Sequence, residues 1–333
     1  MIDAHVHLYP GDTKPLFDKT AAFGANRVNV LGVPALLGAD NNLRCLHLKR
    51  QAPGRVWAFG GLIWRGQTCP DPRAQLDTML AAGFDGLKLL ETKPTLQKEL
   101  AFLPDDPAFA PLFALAQEKQ VPILWHVGDP APFWHADKAP QFAVDNGWTY
   151  EDPSFMRLEE IYERTERVLE RYPHLHVIFA HLYFCSDDRE HLVRLLERYP
   201  NLHIDITPGS EMYADFARDQ AGWEAFFKTY AKRILLGTDT TNAEDPVWRE
   251  MNGFTRGILK KERFMIWGVD MTGFDLTDAE YTAITQGNFI RLAGEEPREI
   301  NQEGLSRLVA FYRQHLDPKD VANLESCYKE LFS

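Results

Sequence analysis

The sequence begins Met1-Ile2-Asp3-Ala4-His5-Val6-His7-Leu8, and residues 2–8 form a short apolar run of the kind that builds a β-strand. Further runs of this type follow at 27–33, 56–62, 86–91, 121–127, 176–182, 202–206 and 234–240. The segments between them are longer. In several of these segments apolar residues recur every three or four positions, as in amphipathic helices: 71–82, 108–120, 156–172 and 189–199.

The alternation of strands and helices predicts an α/β protein with the (β/α)8 fold of a TIM barrel. Successive parallel strands are joined by right-handed crossovers, and the eighth strand can pair with the first. An open, doubly wound sheet is the alternative. The sequence lacks the GxGxxG and GxxxxGK[ST] phosphate-binding loops that often accompany that fold, which favours the barrel.

Two segments extend the basic pattern. Residues 129–153 form an aromatic insertion after the fifth strand, and we expect it to act as a lid over the catalytic end of the barrel. The last part of the chain has the pattern of two appended helices. We therefore expect a barrel over residues 1–294 and a C-terminal helical extension over 295–333 that packs on it.

Composition excludes several classes of protein. Hydrophobic residues make up 45% of the 333 residues and charged residues 25%, which is ordinary for a globular protein and excludes disordered and fibrous chains. A net charge of −12 gives no indication of a nucleic-acid or membrane partner. No secretory signal or long apolar segment is apparent, so we expect a cytoplasmic location. The four cysteines form no CxxC pair and are expected to be reduced.

Histidine and aspartate side chains lie at the ends of the predicted strands, where barrel enzymes carry their functional groups. His5 and His7 are two positions apart on the first strand, so both are expected to face the barrel interior. The fifth, sixth and eighth strands end in His126, His181 and Asp239. Because neutral imidazoles and a carboxylate are typical ligands of zinc and similar divalent ions, the sequence predicts a metal site.

These residues resemble the motifs of the amidohydrolase superfamily, and within it the amidohydrolase-related group that includes aminocarboxymuconate semialdehyde decarboxylase. The resemblance covers residues 1–294 and consists of the HxH of strand one, the histidines that close strands five and six, the GTD of strand eight and a GNxxRL helix at 287–292. It implies an ion held by His5, His7, His126 and Asp239. It also implies that His181 is an acid/base or a ligand of a second ion.

Lys88 on the fourth strand leaves two interpretations open. Binuclear members of the superfamily carry a carboxylated lysine on this strand, which bridges two ions. The group that this sequence resembles is mononuclear, which favours a contact with a substrate anion or a structural role, because a buried lysine needs a charge partner. We therefore expect one divalent ion, with zinc as the first choice, in preference to two.

The expected activity is hydrolysis of a small amide, lactone or related carbonyl substrate, because a divalent ion lowers the pKa of bound water to about 7. His181 or Asp239 would take the proton from the water and return it to the leaving group. The expected partner is thus a small-molecule substrate. Candidates for contact with it lie on strand four and in the loops after strands three and five: Trp64, Arg65, Lys88, Trp134 and His135.

Two other functions remain open. A metal-dependent decarboxylase or hydratase, that is, a lyase acting on a small unsaturated or aromatic carboxylic acid, would use the same ligands. The second alternative is a non-catalytic metal- or ligand-binding protein, although a spare base such as His181 beside a filled ligand shell favours turnover. Aromatic residues in the appended helices leave a homo-oligomer open beside ordinary core packing: Phe311, Tyr312, Tyr328 and Phe332.

Overall fold

The computed structural model describes residues 1–209, 211–244 and 246–332, so Ser333, the end of the predicted extension, lies outside the described residues. Eight parallel strands form one sheet in chain order. They are β1 to β8, at Ile2–His7, Arg27–Leu31, Val56–Gly61, Gly86–Thr92, Ile123–Val127, Val177–Phe179, Leu202–Asp205 and Ile234–Leu235.

The segment after β8 closes the sheet against β1. Val6 and Thr240 form a parallel bridge. Three backbone hydrogen bonds of 2.9 to 3.0 Å, each from the N–H of the first residue to the carbonyl of the second, complete the closure: Ala4 to Leu236, Asp239 to His5, and His7 to Thr240. The strands therefore form a barrel, as the sequence predicted, and the open sheet is excluded.

The helices cover the outside of the barrel and continue beyond it. Asp71 begins one of them by accepting a hydrogen bond from the Ala74 N–H at 3.0 Å, with Pro72 in the first turn. The helices α1 to α16 are Lys14–Phe23, Pro34–Leu37, Asp40–Gln51, Pro72–Ala82, Pro94–Leu100, Ala110–Glu118, Gln141–Asp145, Leu158–Arg171, Arg189–Arg198, Met212–Arg218, Gln220–Thr229, Pro246–Leu259, Asp278–Thr282, Asn288–Ala293, Gln302–His315 and Pro318–Phe332.

The sixth and eighth strands end earlier than the sequence predicted. Strand β6 ends at Phe179, because the backbone of residues 181–184 turns into the left-handed region with φ between 51° and 61°. Strand β8 ends at Leu235, and Asp239 beyond it has φ 53°. Left-handed backbone cannot continue a strand, so these residues lie in turns at the rim of the barrel.

Apolar side chains fill the barrel interior at the end where the strands begin. Trp57 and Phe59 of β3 meet Phe289 of α14, with ring centroids 5.2 and 6.1 Å apart. The side-chain amide of Asn288 donates to the carbonyls of Ala231 and Ile234, which fixes the start of β8. The GNxxRL segment therefore plugs the end of the barrel opposite the predicted site and anchors the last strand.

Strand β1 contains an irregularity that serves the site. Ile2 and Ala4 belong to the interior apolar cluster, whereas Val6 packs with the outer core between strands and helices. The pairing of β1 with β2 shifts between Asp3 and Val6. A shift of this kind changes which face the following side chains occupy, so apolar residues can line the bottom of the strand while His5 and His7 face the interior above them.

Two additions lie on the barrel. Residues within 129–153 have their own small core of Phe133, Ala143 and Tyr150. A hairpin that was not predicted from the sequence follows α12. Its strands are β9 and β10, at Arg263–Ile266 and Val269–Thr272.

The C-terminal extension packs on the barrel helices. Helix α15 packs against α4, and α16 packs against α3. The Arg298 N–H donates to Asp85 at 2.7 Å, which ties the preceding linker to the barrel. The predicted extension is thus present as two helices, while the domain division at residue 294 stays a prediction. In the described part of the chain, none of the helices has the length and apolar character needed to cross a membrane.

Candidate metal centre

Three predicted site residues meet at the junction of β1 with the segment after β8. The Nε2 atoms of His5 and His7 are 3.2 Å apart. The Asp239 Oδ1 atom lies 3.6 Å from the His5 Nε2 and 3.3 Å from the His7 Nε2. Among the described residues, these three form the one group of at least three metal-ligand side chains whose donor atoms lie within 4.8 Å of one another.

The spacing of these atoms can be tested against a metal ion. Zinc binds imidazole nitrogen and carboxylate oxygen at about 2.0–2.2 Å in tetrahedral geometry, so its ligand atoms lie about 3.3 Å from one another. The three separations in the structure, 3.2 to 3.6 Å, agree with that edge length. His5, His7 and Asp239 therefore fit three corners of a tetrahedral shell and leave the fourth to another ligand.

Asp205, at the end of β7, holds His5 from behind. Its Oδ2 atom accepts a hydrogen bond from the His5 Nδ1 at 2.8 Å, and its Oδ1 atom accepts from the His181 N–H at 2.8 Å. Burial raises the pKa of Asp205. Because the Nδ1 carries the proton, the Nε2 lone pair of His5 is directed to the metal group, as in the carboxylate–histidine pairs of known metal sites.

Asp205 is a site residue that was not predicted from the sequence. The signal that could have found it is a carboxylate one residue before the end of a predicted strand, on the rim where His126, His181 and Asp239 were already identified. A carboxylate buried at that place needs donors, and the histidines of neighbouring strands supply them.

Asp239 is charged in this setting. Burial alone would raise its pKa, but the hydrogen bond with His7 and the nearby His5 ring outweigh that effect and hold the pKa below the usual range. Gly237 allows the segment to come this close, because a Cβ atom there would lie 2.8 Å from the His5 Cβ. The His5 pKa is well below its ordinary value because the ring is buried, so the imidazole is neutral and able to bind a metal.

His181 lies beside this group with one ring nitrogen already bonded. Its ring centroid is 5.5 Å from that of His5, and its Nδ1 is 3.3 Å from the carbonyl of Pro208. The Phe184 ring stacks on the His181 ring at 4.8 Å. Burial lowers the pKa of His181 to about 4. With the Nδ1 donating to a carbonyl, the Nε2 is the nitrogen that can accept a proton.

The turn that carries His181 is strained. Residues 181–184 are all in the left-handed region although none is glycine, a conformation that costs about 1–2 kcal/mol for each residue. The Tyr162 hydroxyl donates to the Tyr183 carbonyl at 3.0 Å. The Tyr183 ring stacks between Phe179 and Tyr162, at 4.1 and 4.5 Å. These contacts impose a backbone that the residues would not adopt alone, and strain of this kind is concentrated at functional sites.

His126 has different neighbours from the other predicted ligands. Its Nε2 atom lies 3.1 Å from Asp129 Oδ1, and its ring is 5.1 Å from that of His181. Asp129 also pairs with the Lys93 ammonium at 2.8 and 3.0 Å and accepts from the Tyr150 hydroxyl at 2.5 Å. His126 is therefore near the site but outside the group of three, and it is bonded to a network that reaches into the insertion.

Lys88 is buried, with 1% of its surface exposed. Its ammonium has no hydrogen-bond partner in the described part of the chain. Burial lowers its pKa to about 8, while the carboxylates of Asp205, Asp239 and Glu91 act in the opposite direction. Lys88 therefore places a cationic group inside the barrel among the residues of the site.

The other four predicted substrate-contact residues differ in their bonding partners and exposure. The Trp64 indole N–H donates to Glu91 at 3.2 Å. Arg65 forms an exposed ion pair with Asp317 of the C-terminal extension at 2.8 Å. In the insertion, the Trp134 indole donates to the carbonyl of Met156, and His135 is exposed. The structure therefore assembles His5, His7, Asp239 and His181. Trp64, Arg65 and Trp134 are bonded to other residues, and His135 is exposed.

Comparisons with known proteins agree with this architecture. A family model described as amidohydrolase matches residues 2–292. No curated protein sequence matches the chain. The fold is similar to that of an uncharacterized TIM-barrel protein from Bordetella bronchiseptica, which is 16% identical with a TM-score of 0.59 over 89% of this chain and 99% of the other.

Two further solved structures are similar. One is an amidohydrolase from Burkholderia multivorans with bound zinc, at 14% identity and a TM-score of 0.55, covering 88% of this chain and 98% of the other. The other is 4-oxalomesaconate hydratase from Rhodopseudomonas palustris, at 13% identity and a TM-score of 0.55, covering 94% and 99%. At these identities the likeness shows the shared fold.

Proposed function

Because the chain belongs to the amidohydrolase family, we propose that it is a metal-dependent hydrolase of a small amide, lactone or related carbonyl compound. The observation that carries the proposal is the spacing of three ligand atoms, of His5, His7 and Asp239, at 3.2 to 3.6 Å. The zinc bound to the similar Burkholderia protein supports zinc as the ion.

We assign the metal to His5, His7 and Asp239, with His126 as a fourth ligand that the resemblance implies. A divalent ion held there would polarise a carbonyl and make a water molecule acidic near neutral pH. The protein's own contribution is to keep His5 neutral through burial and to direct its Nε2 inward through Asp205. A single ion agrees with the single group of three ligand atoms among the described residues.

His181 is the proposed acid/base. Its Nδ1 is held by the Pro208 carbonyl, and its low pKa, a consequence of burial, leaves the Nε2 unprotonated at neutral pH. The Nε2 can therefore accept a proton from water and deliver it to a leaving group. Asp239 is the second residue that could accept this proton, because its carboxylate is ionised and adjoins the same space.

We keep Trp64, Arg65, Lys88, Trp134 and His135 as candidates for substrate contact. Lys88 has the strongest support, since its ammonium is buried and without a hydrogen-bond partner among the described residues. Arg65 has the weakest support, because its guanidinium forms an ion pair with Asp317 of the C-terminal extension. A cytoplasmic location and a homo-oligomeric state are not required by the proposal and stay predictions.

A lyase is the second candidate function, and the buried ammonium of Lys88 favours it, because a decarboxylase or hydratase acts on an acid that such a group could bind. The similar Rhodopseudomonas protein is a hydratase. Assays of amide and lactone cleavage, of hydration and of carbon dioxide release on the same metal-loaded protein separate the two functions.

The test of the metal site is elemental analysis of the purified protein together with two histidine variants. We expect about one equivalent of a divalent ion in the wild type, a loss of at least tenfold in affinity in His7→Ala, and a smaller loss in His126→Ala. The exposed His174, which lies on the loop before β6, supplies the control His174→Ala. Wild-type protein without metal after metal-replete expression, or a His7→Ala protein with unchanged metal content and activity, would refute the proposal.

A further inference from the structure

A cleft of about 460 Å³ lies between helices α1 and α12, which cover the outside of the barrel. Its third wall is the turn after β8, at Thr240 and Thr241. Clefts of about 300–1,000 Å³ are typical of small-molecule sites. None of the residues that line this cleft belongs to the candidate metal centre, so the cleft is a second, separate place where a ligand could bind.

Two of the charged side chains that line the cleft are already paired with opposite charges. Asp18 accepts a hydrogen bond from the Lys14 ammonium at 2.6 Å, and the Arg249 guanidinium lies 3.3 Å from Glu244. Both ion pairs are exposed, and neither adds a net charge. The net charge of the cleft therefore comes from its remaining charged residues.

Those residues are Lys19 and Arg256, which have no carboxylate partner among the described residues. The Lys19 ammonium donates to two backbone carbonyls, that of Thr241 at 3.1 Å and that of Ala243, and these bonds leave its charge uncompensated. The Arg256 side chain is exposed on α12. The cleft thus offers two positive charges, which match the charge of a phosphate monoester, about −1.5 to −2 at pH 7.

Asn252 and Thr240 are the most buried residues of the lining, each with 9% of its surface exposed. The Asn252 side-chain amide donates to the Thr238 carbonyl at 3.2 Å. The Asn252 Oδ1 is buried and has no hydrogen-bond partner in the described part of the chain. Because buried acceptors are normally satisfied, a ligand with a hydroxyl group can supply the hydrogen bond that the protein does not.

Gly253 keeps the α12 wall of the cleft free of a side chain. It lies inside a helix, where glycine is less favourable than alanine by about 0.5–1 kcal/mol. A Cβ atom at this position would meet no other atom within 4 Å, so the packing of the chain does not require a glycine. A larger side chain there would extend into the cleft, which gives the glycine a role if a ligand occupies that space.

We propose that this cleft binds a small organic phosphate that carries a hydroxyl group, with the phosphate at Lys19 and Arg256 and the hydroxyl at Asn252. A guanidinium donates to phosphate oxygens in charge-assisted, often bidentate hydrogen bonds. The site adjoins the metal centre, because Thr240 follows the candidate ligand Asp239 in the chain. A compound bound there would brace the turn that carries Asp239 from its outer side.

The experiment titrates full-length, metal-stripped protein with glycerol phosphate, inorganic phosphate and glycerol in a calorimeter at equal ionic strength. Arg256→Met removes a charge, and its control Arg307→Met removes an exposed arginine of α15 that does not line the cleft. Gly253→Met fills the cleft, with Gly253→Ala as its control. Both substitutions of Gly253 should preserve the fold, because methionine and alanine have higher helix propensities than glycine.

We expect wild type, Arg307→Met and Gly253→Ala to bind glycerol phosphate with affinities within about threefold of one another. Arg256→Met and Gly253→Met should bind it about tenfold or more weakly, because the first loses a charged hydrogen bond and the second loses the space. Inorganic phosphate should bind wild type more weakly than glycerol phosphate, and glycerol should not bind measurably.

Equal affinity for glycerol phosphate in wild type and Arg256→Met would overturn the inference. Inorganic phosphate that binds as tightly as glycerol phosphate would also overturn it, because the hydroxyl would then go unrecognised. Binding that requires the metal, or that is lost in His7→Ala, would place the phosphate at the metal centre instead. The inference does not depend on the proposed function, since cleft binding by a protein that takes up no metal would support the first and refute the second.

Discussion

The two sides of the candidate site hold their histidines in different ways. On the side of β1, a buried carboxylate, Asp205, bonds the outer nitrogen of His5 and leaves the inner one beside His7 and Asp239. On the side of β5, a buried carboxylate, Asp129, bonds the Nε2 of His126 and is itself held by residues outside the barrel strands. The first arrangement presents ligand atoms to an ion, and the second joins a candidate ligand to the insertion.

This difference indicates that the β1 side and the β5 side have different roles in the site. The β1 side is assembled from β1 and the turn that follows β8, so none of its three ligands belongs to the insertion. The β5 side depends on Tyr150, which belongs to the small core of the insertion, and on Lys93, whose ammonium also lies 4.4 Å from the Trp148 ring. We infer that the β1 side dominates metal affinity and that the β5 side connects the site to the insertion at 129–153.

The largest expected effect is a loss of zinc affinity, and it should differ between variants of the two carboxylates, Asp205 and Asp129. Asp205→Asn should lower the affinity for zinc by about tenfold to a hundredfold, because the orienting carboxylate of a ligating histidine is lost. Asp129→Asn should change the affinity by less than the Asp205 variant. Competition with a chromogenic chelator measures both constants. A larger loss in Asp129→Asn would reverse the assignment and make β5 the principal metal side.

The second prediction uses the opposite pKa shifts of these carboxylates in metal-stripped protein. The Asp129 pKa is depressed: burial would raise it, but the charges of Lys93 and His126 outweigh burial. Its ionised form therefore stabilises the fold above the ordinary Asp pKa of about 4, and this contribution is lost as the pH falls below that value. Burial raises the Asp205 pKa, so its contribution to stability decreases as the pH rises above about 4.

Urea unfolding between about pH 3.5 and pH 7 measures both contributions against the corresponding Asn variants. The stability advantage of wild type over Asp129→Asn should grow with pH. Wild type should lose stability relative to Asp205→Asn over the same range, and each unit of pKa difference corresponds to about 1.4 kcal/mol. Parallel pH dependence in the two variants would show that the two carboxylates have the same environment, contrary to the comparison.

The barrel itself was predictable, because its evidence is periodic. Runs such as 27–33 and 56–62 matched β2 and β3 closely, and the HxH spacing placed His5 and His7 on one face. The shift in β1 that lets His5 follow Ala4 into the interior has no such signal, since it arises from pairing with β2. Sequence periodicity therefore identified the strand, but not the irregularity that orients its side chains.

Two other features depended on tertiary contacts. The segment His-Leu-Tyr-Phe at 181–184 contains no glycine, so its sequence does not predict four residues with left-handed backbone. Tertiary contacts impose this backbone, among them the hydrogen bond from the Tyr162 hydroxyl to the Tyr183 carbonyl. The Asp129 network likewise joins residues from 93 to 150 that only the fold brings together. The β9–β10 hairpin is different, because the apolar residues around Trp267-Gly268 were a readable signal that we did not use.

The smallest expected effect concerns the link between the insertion and the site. Tyr150→Phe removes the hydroxyl that donates to Asp129 while it keeps the ring that packs in the insertion core. One such hydrogen bond to a charged group contributes about 1.5–3 kcal/mol, and because Lys93 and His126 still satisfy Asp129, we expect the loss at the lower end of this range. Urea unfolding measures the loss, and limited proteolysis should show faster cleavage within 129–153.

Tyr172→Phe is the matched control, since it also removes one hydroxyl, which donates to the Ala110 carbonyl at 3.1 Å away from the site. If the β1 side dominates metal affinity, Tyr150→Phe should leave zinc affinity within about twofold of wild type, because His5, His7 and Asp239 all lie outside the insertion and its core. A tenfold loss of zinc affinity in Tyr150→Phe, with none in Tyr172→Phe, would mean that the insertion sets the position of a ligand. His126 would then be as much a part of the metal shell as the histidines of β1.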